Sequence, residues 1–237
     1  LGVPRDYLVA DVLSIMRGAS AEARRFKACV MGGDTGESKD LIVSGMAFGF
    51  TEEANLVKRN GASVGDVLAV TGQFGLTGAA LKLLLEGKSA DSQVKRHLVR
   101  SVYEPRARVL EGVELGRSRC LSSSIDSSDG LAWAIHELAR SSKVGFKVEN
   151  IPVPHDVRKF AELNKLDALD LALYGGEEYE LVLTVKQDLW DEAREAVKRA
   201  KGVLYRIGQA KKERKVILNM NNGEIRRVEP RGYEHFR

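Results

Sequence analysis

The stretch "IDSSDGLAWAIHEL", Ile125 to Leu138, decides how the chain is read. Before it, "CLSSSI" has the look of a strand. After it, Leu131, Ile135, Leu138 and Ala139 recur at i, i+4, i+7 and i+8, the stripe of a helix face. Asp126 to Gly130 is therefore a strand-to-helix junction, and it carries two aspartates and two serines. As an N-cap, Ser128 or Asp129 would accept a backbone N–H, and its charge would suit the positive helix end. That accounts for one acidic residue and leaves Asp126 and Gly130 unexplained. Two carboxylates flanking a hydroxyl at a helix N-terminus also make a hard-oxygen cage for Mg²⁺, with helix N–H groups left for phosphate. On the junction alone, the cap and the metal site stand level.

Outward from the junction, the arrangement recurs. "MGGDTGES" turns through Gly32 and Gly33 after a strand pattern and delivers Asp34 and Thr35, again a carboxylate and a hydroxyl beside glycines. Taken alone it is an ordinary tight turn. "YGGEEYELV" sets Glu177 and Glu178 where a strand begins, and taken alone those acids keep a sheet edge soluble. Three such junctions in one chain suggest a polyphosphate held through magnesium ions. The common nucleotide signatures do not fit: "GKS" at Gly87 to Ser89 would need glycine where Lys82 stands, and "TGQFGLTG" spaces its glycines three apart throughout.

Composition narrows the field further. With 43% hydrophobic and 30% charged residues the chain reads as a globular protein large enough for two small domains. The longest mostly apolar stretch, Leu41 to Phe50, is too short to span a bilayer and lacks a secretory pattern, so no membrane association and a cytoplasmic location are expected. Cys29 and Cys120 lie far apart in apolar segments and read as buried free thiols; His97, His136, His155 and His235 show no ligand spacing. The net charge of +4 is spread along the chain and aromatics make up only 6%, too few for base-stacking platforms, so no nucleic-acid partner is expected. The densest basic run, "KKERK" at Lys211 to Lys215, reads as a solvated hairpin edge.

Leu1 is not a methionine, and "VPRDYLVADVLSIM" opens directly on a helix start, as in a chain that begins partway through a fold. A helix over Arg5 to Phe26 leads to strands at "KACVM" and Leu41 to Phe50. The polar, turn-rich "TEEANLVKRNGASVGD" then marks a boundary, giving domains 1–54 and 55–237. Past it, strands at "DVLAVTG", "RCLSSSID", "GFKVEN" and "EYELVLTV" alternate with helical patterns, and "NNG" at Asn221 to Gly223 closes a hairpin. The order argues a two-domain mixed α/β (α+β) protein.

"GGDT", "RNGASVGDVLAVTG", "DSSDGLA", "YGGEEYEL" and a terminal "GYEHF", in this order, resemble the thiamine-monophosphate kinases, of the superfamily typified by aminoimidazole ribonucleotide synthetase. The match runs from Val30 to Phe236. It implies that two-domain fold, with part of an N-terminal ATP- and magnesium-binding, dimer-barrel domain followed by a mixed-sheet C-terminal domain, in a homodimer. It also implies ATP-dependent, in-line phosphorylation of thiamine monophosphate to thiamine diphosphate with Mg²⁺. By the same resemblance Gly33, Asp34, Arg59 and Ser128 would bind ATP, Asp34, Asp126 and Asp129 would hold magnesium, and Glu177 and Tyr233 would contact the substrate. The family motifs usually read "DISDG" and "GGEDYEL", so Ser127 and Glu178 depart from them. Another ATP-dependent synthetase of the superfamily would share the magnesium junctions, as would a nucleotide-binding module without catalysis. The hydrogenase-maturation member ends in a reactive cysteine, whereas this chain ends "GYEHFR".

Overall fold

The computed structural model describes residues 1–220 and 222–233. They form two compact units, Leu1–Thr51 and a larger one from Glu52 onward. In the first, β1 (Gly2–Val3) is followed by α1 (Val9–Arg25), and β2 (Gly36–Glu37) pairs in parallel with β1. The strands expected at "KACVM" and at Leu41 to Phe50 do not form; Ile42 alone bridges to Gly2. A strand exists only through the partner that satisfies its N–H and C=O groups. With one bridge available, Val43, Met46, Phe48 and Phe50 stay exposed. Cys29, expected to be buried in one of those strands, is exposed for the same reason, while Cys120 is buried as expected.

The second unit is built on seven strands: β3 (Val67–Val70), β4 (Leu121–Asp126), β5 (Gly145–Val148), β6 (Leu181–Val185), β7 (Tyr205–Lys211), β8 (Val216–Asn219) and β9 (Ile225–Arg227). Their order across the sheet is β4-β6-β3-β7-β5-β8-β9, antiparallel at every step except β5 with β8. Successive side chains of β3 face opposite ways, as the pleat requires. Leu68 and Val70 pack with Leu131, Ile135 and Leu138 of α5 (Leu131–Ser142), which buries the stripe read from the sequence. Val67 and Ala69 pack on the other face with Leu115 of α4 (Val109–Ser118) and Ala193, Ala196 and Val197 of α8 (Trp190–Arg199). The first face also takes α2 (Leu76–Leu85), α3 (Ser92–Tyr103), α6 (His155–Asn164) and α7 (Ala168–Tyr174). The result is a three-layer α/β/α body. No helix among the described residues is long and apolar enough to cross a membrane.

Two features of this sheet differ from the sequence reading. β7 carries no clear strand pattern of its own, yet it lies between β3 and β5 near the middle of the sheet. "KKERK" is not a hairpin edge: β7 and β8 are not neighbours, because β5 runs between them. The basic run therefore arches across the start of β5, where the Phe146 N–H donates to the Lys215 carbonyl at 2.9 Å. β8 and β9 do form the expected closing hairpin, whose Asn221 lies outside the described residues.

Most consequential for function is the β4/β6 pairing. Its register sets Asp126, the last residue of β4, opposite Leu181, the first of β6. The acidic junction after β4 and the Gly-acid loop before β6 are thereby brought to one end of the sheet.

Candidate functional site

The two loops are stitched together through Ser127. Its N–H donates to the Glu180 carbonyl at 3.0 Å, and its Oγ accepts the Glu180 N–H at 3.1 Å. One residue on, the Glu177 N–H donates to the Ser128 carbonyl at 2.7 Å. Ser127, a mere departure from the family motif in the sequence, is fully buried and fixes the geometry of the junction.

The structure speaks against the cap reading at α5. The helix is entered through Gly130, at φ 109 and ψ 154, and no side chain caps it. That φ favours glycine, since a Cβ would be strained there. Ser128 and Asp129 are thus not caps, and the first N–H groups of α5 keep their free hydrogen-bonding capacity. Neither do Asp126, Asp129 or Glu177 spend their carboxylates elsewhere: among the described residues none of them makes an ion pair, and none accepts a side-chain hydrogen bond. The three converge on Tyr179, whose phenol is pushed above its usual pKa first by burial and then by the charges of Glu177, Asp126 and Asp129. Glu177 and Tyr179 both sit in the left-handed region, at φ 64 and φ 52. Such residues cost on the order of 1–3 kcal/mol each and persist where the surroundings over-determine them.

The C-terminal segment closes onto the same junction. The Tyr233 N–H donates to the Asp129 carbonyl at 3.1 Å, and Gly232 passes so close to that carbonyl that a Cβ would collide with it. Upstream, the Arg231 guanidinium lies 3.8 Å over the ring of Tyr174, whose hydroxyl accepts the Glu229 N–H at 3.3 Å. Tyr233 thereby stands beside the acids. His235 and Phe236 lie outside the described residues.

Arg59 is not gathered into this group. Its carbonyl is 3.5 Å from Ser142 Oγ at the C-terminal end of α5, and its charge helps to lower the carboxyl pKa of Glu137, after the larger effect of Arg140. Gly33 and Asp34 belong to the first unit. Asp34 is exposed and accepts the Thr35 N–H at 2.8 Å, and the space over Gly33 is open.

Two further acids organise the far side of the loop: Glu178, read from the sequence as part of the Gly-acid element, and Glu180, which that reading did not single out. Glu178 turns away from the junction and accepts the N–H groups of Gly75 at 2.6 Å and Thr77 at 3.3 Å, capping α2. Glu180 is buried, takes Arg108 through two guanidinium nitrogens, and accepts the Thr71 hydroxyl at 2.7 Å. Arg108 also reaches Glu111 at 3.0 Å. Glu178, Glu180 and Arg108, with Thr77 and His97, border a cleft of about 350 Å³. The evenly spaced glycines of "TGQFGLTG" held the signal, since they expose the N–H groups that Glu178 takes, but the partner lies about a hundred residues away.

Hard carboxylate oxygens without a counter-cation beside an uncapped helix end suit Mg²⁺, which keeps several waters and takes one or two protein carboxylates plus phosphate oxygens. Among the described residues no group of three metal-binding side chains closes around a single point. Asp126 and Asp129 therefore suit a partial coordination shell, the kind Mg²⁺ accepts.

Comparison with known proteins places the chain in a family. Residues 63–221 match the family model of the AIR synthase related protein, C-terminal domain. A thiamine-monophosphate kinase of Nitrosopumilus maritimus is 34% identical over the whole chain, which spans 74% of that relative. One from Pyrococcus horikoshii is 34% identical over 79% of the chain and 58% of the relative. Among solved structures, AaThiL complexed with AMPPCP and TMP superposes with a TM-score of 0.79 at 24% identity, over 99% of this chain and 71% of that one.

Glu178 gives the site a measurable pH dependence. Burial pushes its pKa up from 4.5 to about 7, against the opposing hydrogen bonds from Gly75 and Thr77. The folded state then holds a proton that the unfolded state releases above pH 4.5, so this contribution is complete below that pH and is lost as pH rises through 7. The full effect is at most about 3 kcal/mol. Glu178→Gln keeps an acceptor for both N–H groups and removes the titration. Urea unfolding of this variant should show a flatter fall in stability between pH 4.5 and 8 than the parent chain; parallel profiles would mean that Glu178 titrates normally.

Proposed function

The chain belongs to the thiamine-monophosphate kinase family of AIR synthase related proteins, and from that premise we propose that it transfers the γ-phosphoryl group of ATP to thiamine monophosphate. The observation that carries this reading is the unspent pair Asp126 and Asp129 at the uncapped start of α5. Asp126 and Asp129 would hold Mg²⁺, and Asp34 of the first unit carries the same assignment. Bound magnesium offsets the negative charge of the phosphoryl group in flight. Ser128 and the α5 N–H groups would bind phosphate oxygens. Gly33, Asp34 and Arg59 are assigned to ATP from the family resemblance.

The acceptor chemistry asks little else of the protein. A phosphate monoester has a second pKa near 6, so its attacking oxygen is already largely deprotonated at neutral pH. No general base is required, and the chain's residues position the reactants for direct in-line attack. Thiamine monophosphate also carries a fixed positive thiazolium and a flat pyrimidine. Glu177, exposed and unpaired among the described residues, supplies the opposite charge, and Tyr233 beside Asp129 supplies an aromatic face. The exposed Val43, Met46, Phe48 and Phe50 of the first unit support assembly with a second copy of the chain.

Four measurements test the proposal. Incubated with Mg²⁺-ATP and thiamine monophosphate, the chain should yield thiamine diphosphate by mass spectrometry. Asp126→Asn and Asp129→Asn should each lower kcat on the order of 100-fold without changing the melting temperature. Binding of ATP with no product from the parent chain would favour a nucleotide-binding module instead. Tyr233→Ala should raise KM for thiamine monophosphate far more than for ATP; equal changes would assign Tyr233 to packing. With ATP made chiral at the γ-phosphorus, a single in-line displacement inverts configuration, and overall retention would reveal a phosphoenzyme.

A further inference from the structure

The charge that the acidic junction leaves unaccounted for lies at the other end of α5. A helix of 12 residues is about 18 Å long, so its C-terminal turn is well separated from Asp126 and Asp129. Beside that turn is a cleft of about 390 Å³, faced by His136, Arg140 and Lys143 of α5 and its C-cap, Arg214 and Lys215 of the arch over β5, and Arg227 of β9. Its remaining lining is Ala139, Val144, Val216 and Pro230. Among the described residues, no carboxylate faces it.

The ordinary explanation covers part of this. Cations near a helix C-terminus are stabilised by the helix dipole, which accounts for Arg140 and Lys143. It does not account for Arg214, Lys215 and Arg227, which come to the same space from other elements. The topology brings them there: because β5 separates β7 from β8, the basic run must cross above Gly145, where a Cβ would strike the Glu213 carbonyl. Arg140 is neutralised by Glu137 at 2.6 Å, and Arg227 is only loosely paired with Glu229 at 3.8 Å. Lys143, Arg214 and Lys215 have no carboxylate within 4.0 Å among the described residues.

We propose that this cleft binds a small ligand through a diphosphate group. The volume lies in the range of small-molecule sites. Guanidinium forks match phosphate oxygens two at a time, and the lysines add point charge, so the set favours a multiply charged phosphate over a single carboxylate. A nucleic-acid strand is disfavoured because, among the described residues, no Trp, Tyr or Phe ring lines the cleft for stacking. The apolar floor leaves room for the body of an organic diphosphate. Inorganic pyrophosphate, a nucleotide and thiamine diphosphate share this chemistry.

Calorimetric titration with inorganic pyrophosphate in excess chelator, at fixed ionic strength, tests the site free of any magnesium at the junction. The parent chain should bind more tightly than about 1 mM. The triple variant Lys143→Ala, Arg214→Ala, Lys215→Ala changes only exposed side chains and should keep the parent melting temperature. It should lose at least about tenfold in affinity, whereas Asp126→Asn with Asp129→Asn should lose none. Parallel titrations with ATP and with thiamine diphosphate show which source of the diphosphate group gains affinity over pyrophosphate itself. Binding weaker than 1 mM, an unchanged triple variant, or a loss produced by the aspartate changes would overturn the proposal, whatever becomes of the kinase reading.

Discussion

Glu180 is the residue on which the rest of the site hangs. Its carboxylate holds Arg108 from the start of α4 and the Thr71 hydroxyl from the end of β3, while its backbone is bonded in both directions to Ser127 at the end of β4. Four segments distant in sequence are thus referred to one side chain. Burying a carboxylate is costly unless it is paired and its lone pairs are satisfied. Here Arg108 and Thr71 do both, and removing the acid would leave the largely buried guanidinium of Arg108 with Glu111 as its one remaining carboxylate among the described residues. The short β6 strand and the loop before it would lose their anchor along with it.

That anchor explains how neighbouring acids come to do opposite work. Glu177 and Glu178 are adjacent, yet one faces the junction and the other caps α2. Between Ser128, which fixes the Glu177 N–H, and Ser127, which fixes Glu180, only a few residues remain to reverse direction. Left-handed backbone at Glu177 and Tyr179 accomplishes the reversal. The loop therefore sends a charged, exposed carboxylate to one side and a largely buried one, half-titrated near neutrality, to the other.

The sequence made some of this legible. The α5 stripe, the β4-to-α5 junction and the closing hairpin depend on local periodicity and turn chemistry, and all three are found where the residues put them. What local pattern could not supply was who pairs with whom. Ser127 appeared to be an idle substitution because its partner, Glu180, is 53 residues away. Asp129 resembled a cap because nothing in "SSDG" says that Gly130 takes the entry position. "KKERK" resembled a hairpin because only the sheet order reveals that β5 intervenes. The apolar run Leu41 to Phe50 had strand propensity but found a single bridge, so composition alone could not make it a strand.

Net charge misleads in the same way. A surplus of +4 spread along the sequence suggests a weakly basic, featureless surface. Folding sorts it: among the described residues, Asp126, Asp129 and Glu177, without ion-pair partners, collect at the start of α5, and Lys143, Arg214 and Lys215, likewise without them, collect at its end. Both placements agree with the helix dipole, so neither strains the helix. The potential around this unit is consequently polarised along α5, negative at its start, where metal ions would be drawn, and positive at its end, beside the basic cleft. One helix, uncapped by any side chain at its start and crowned by lysine and arginine at its end, thus separates the acidic junction from the basic cleft by about 18 Å.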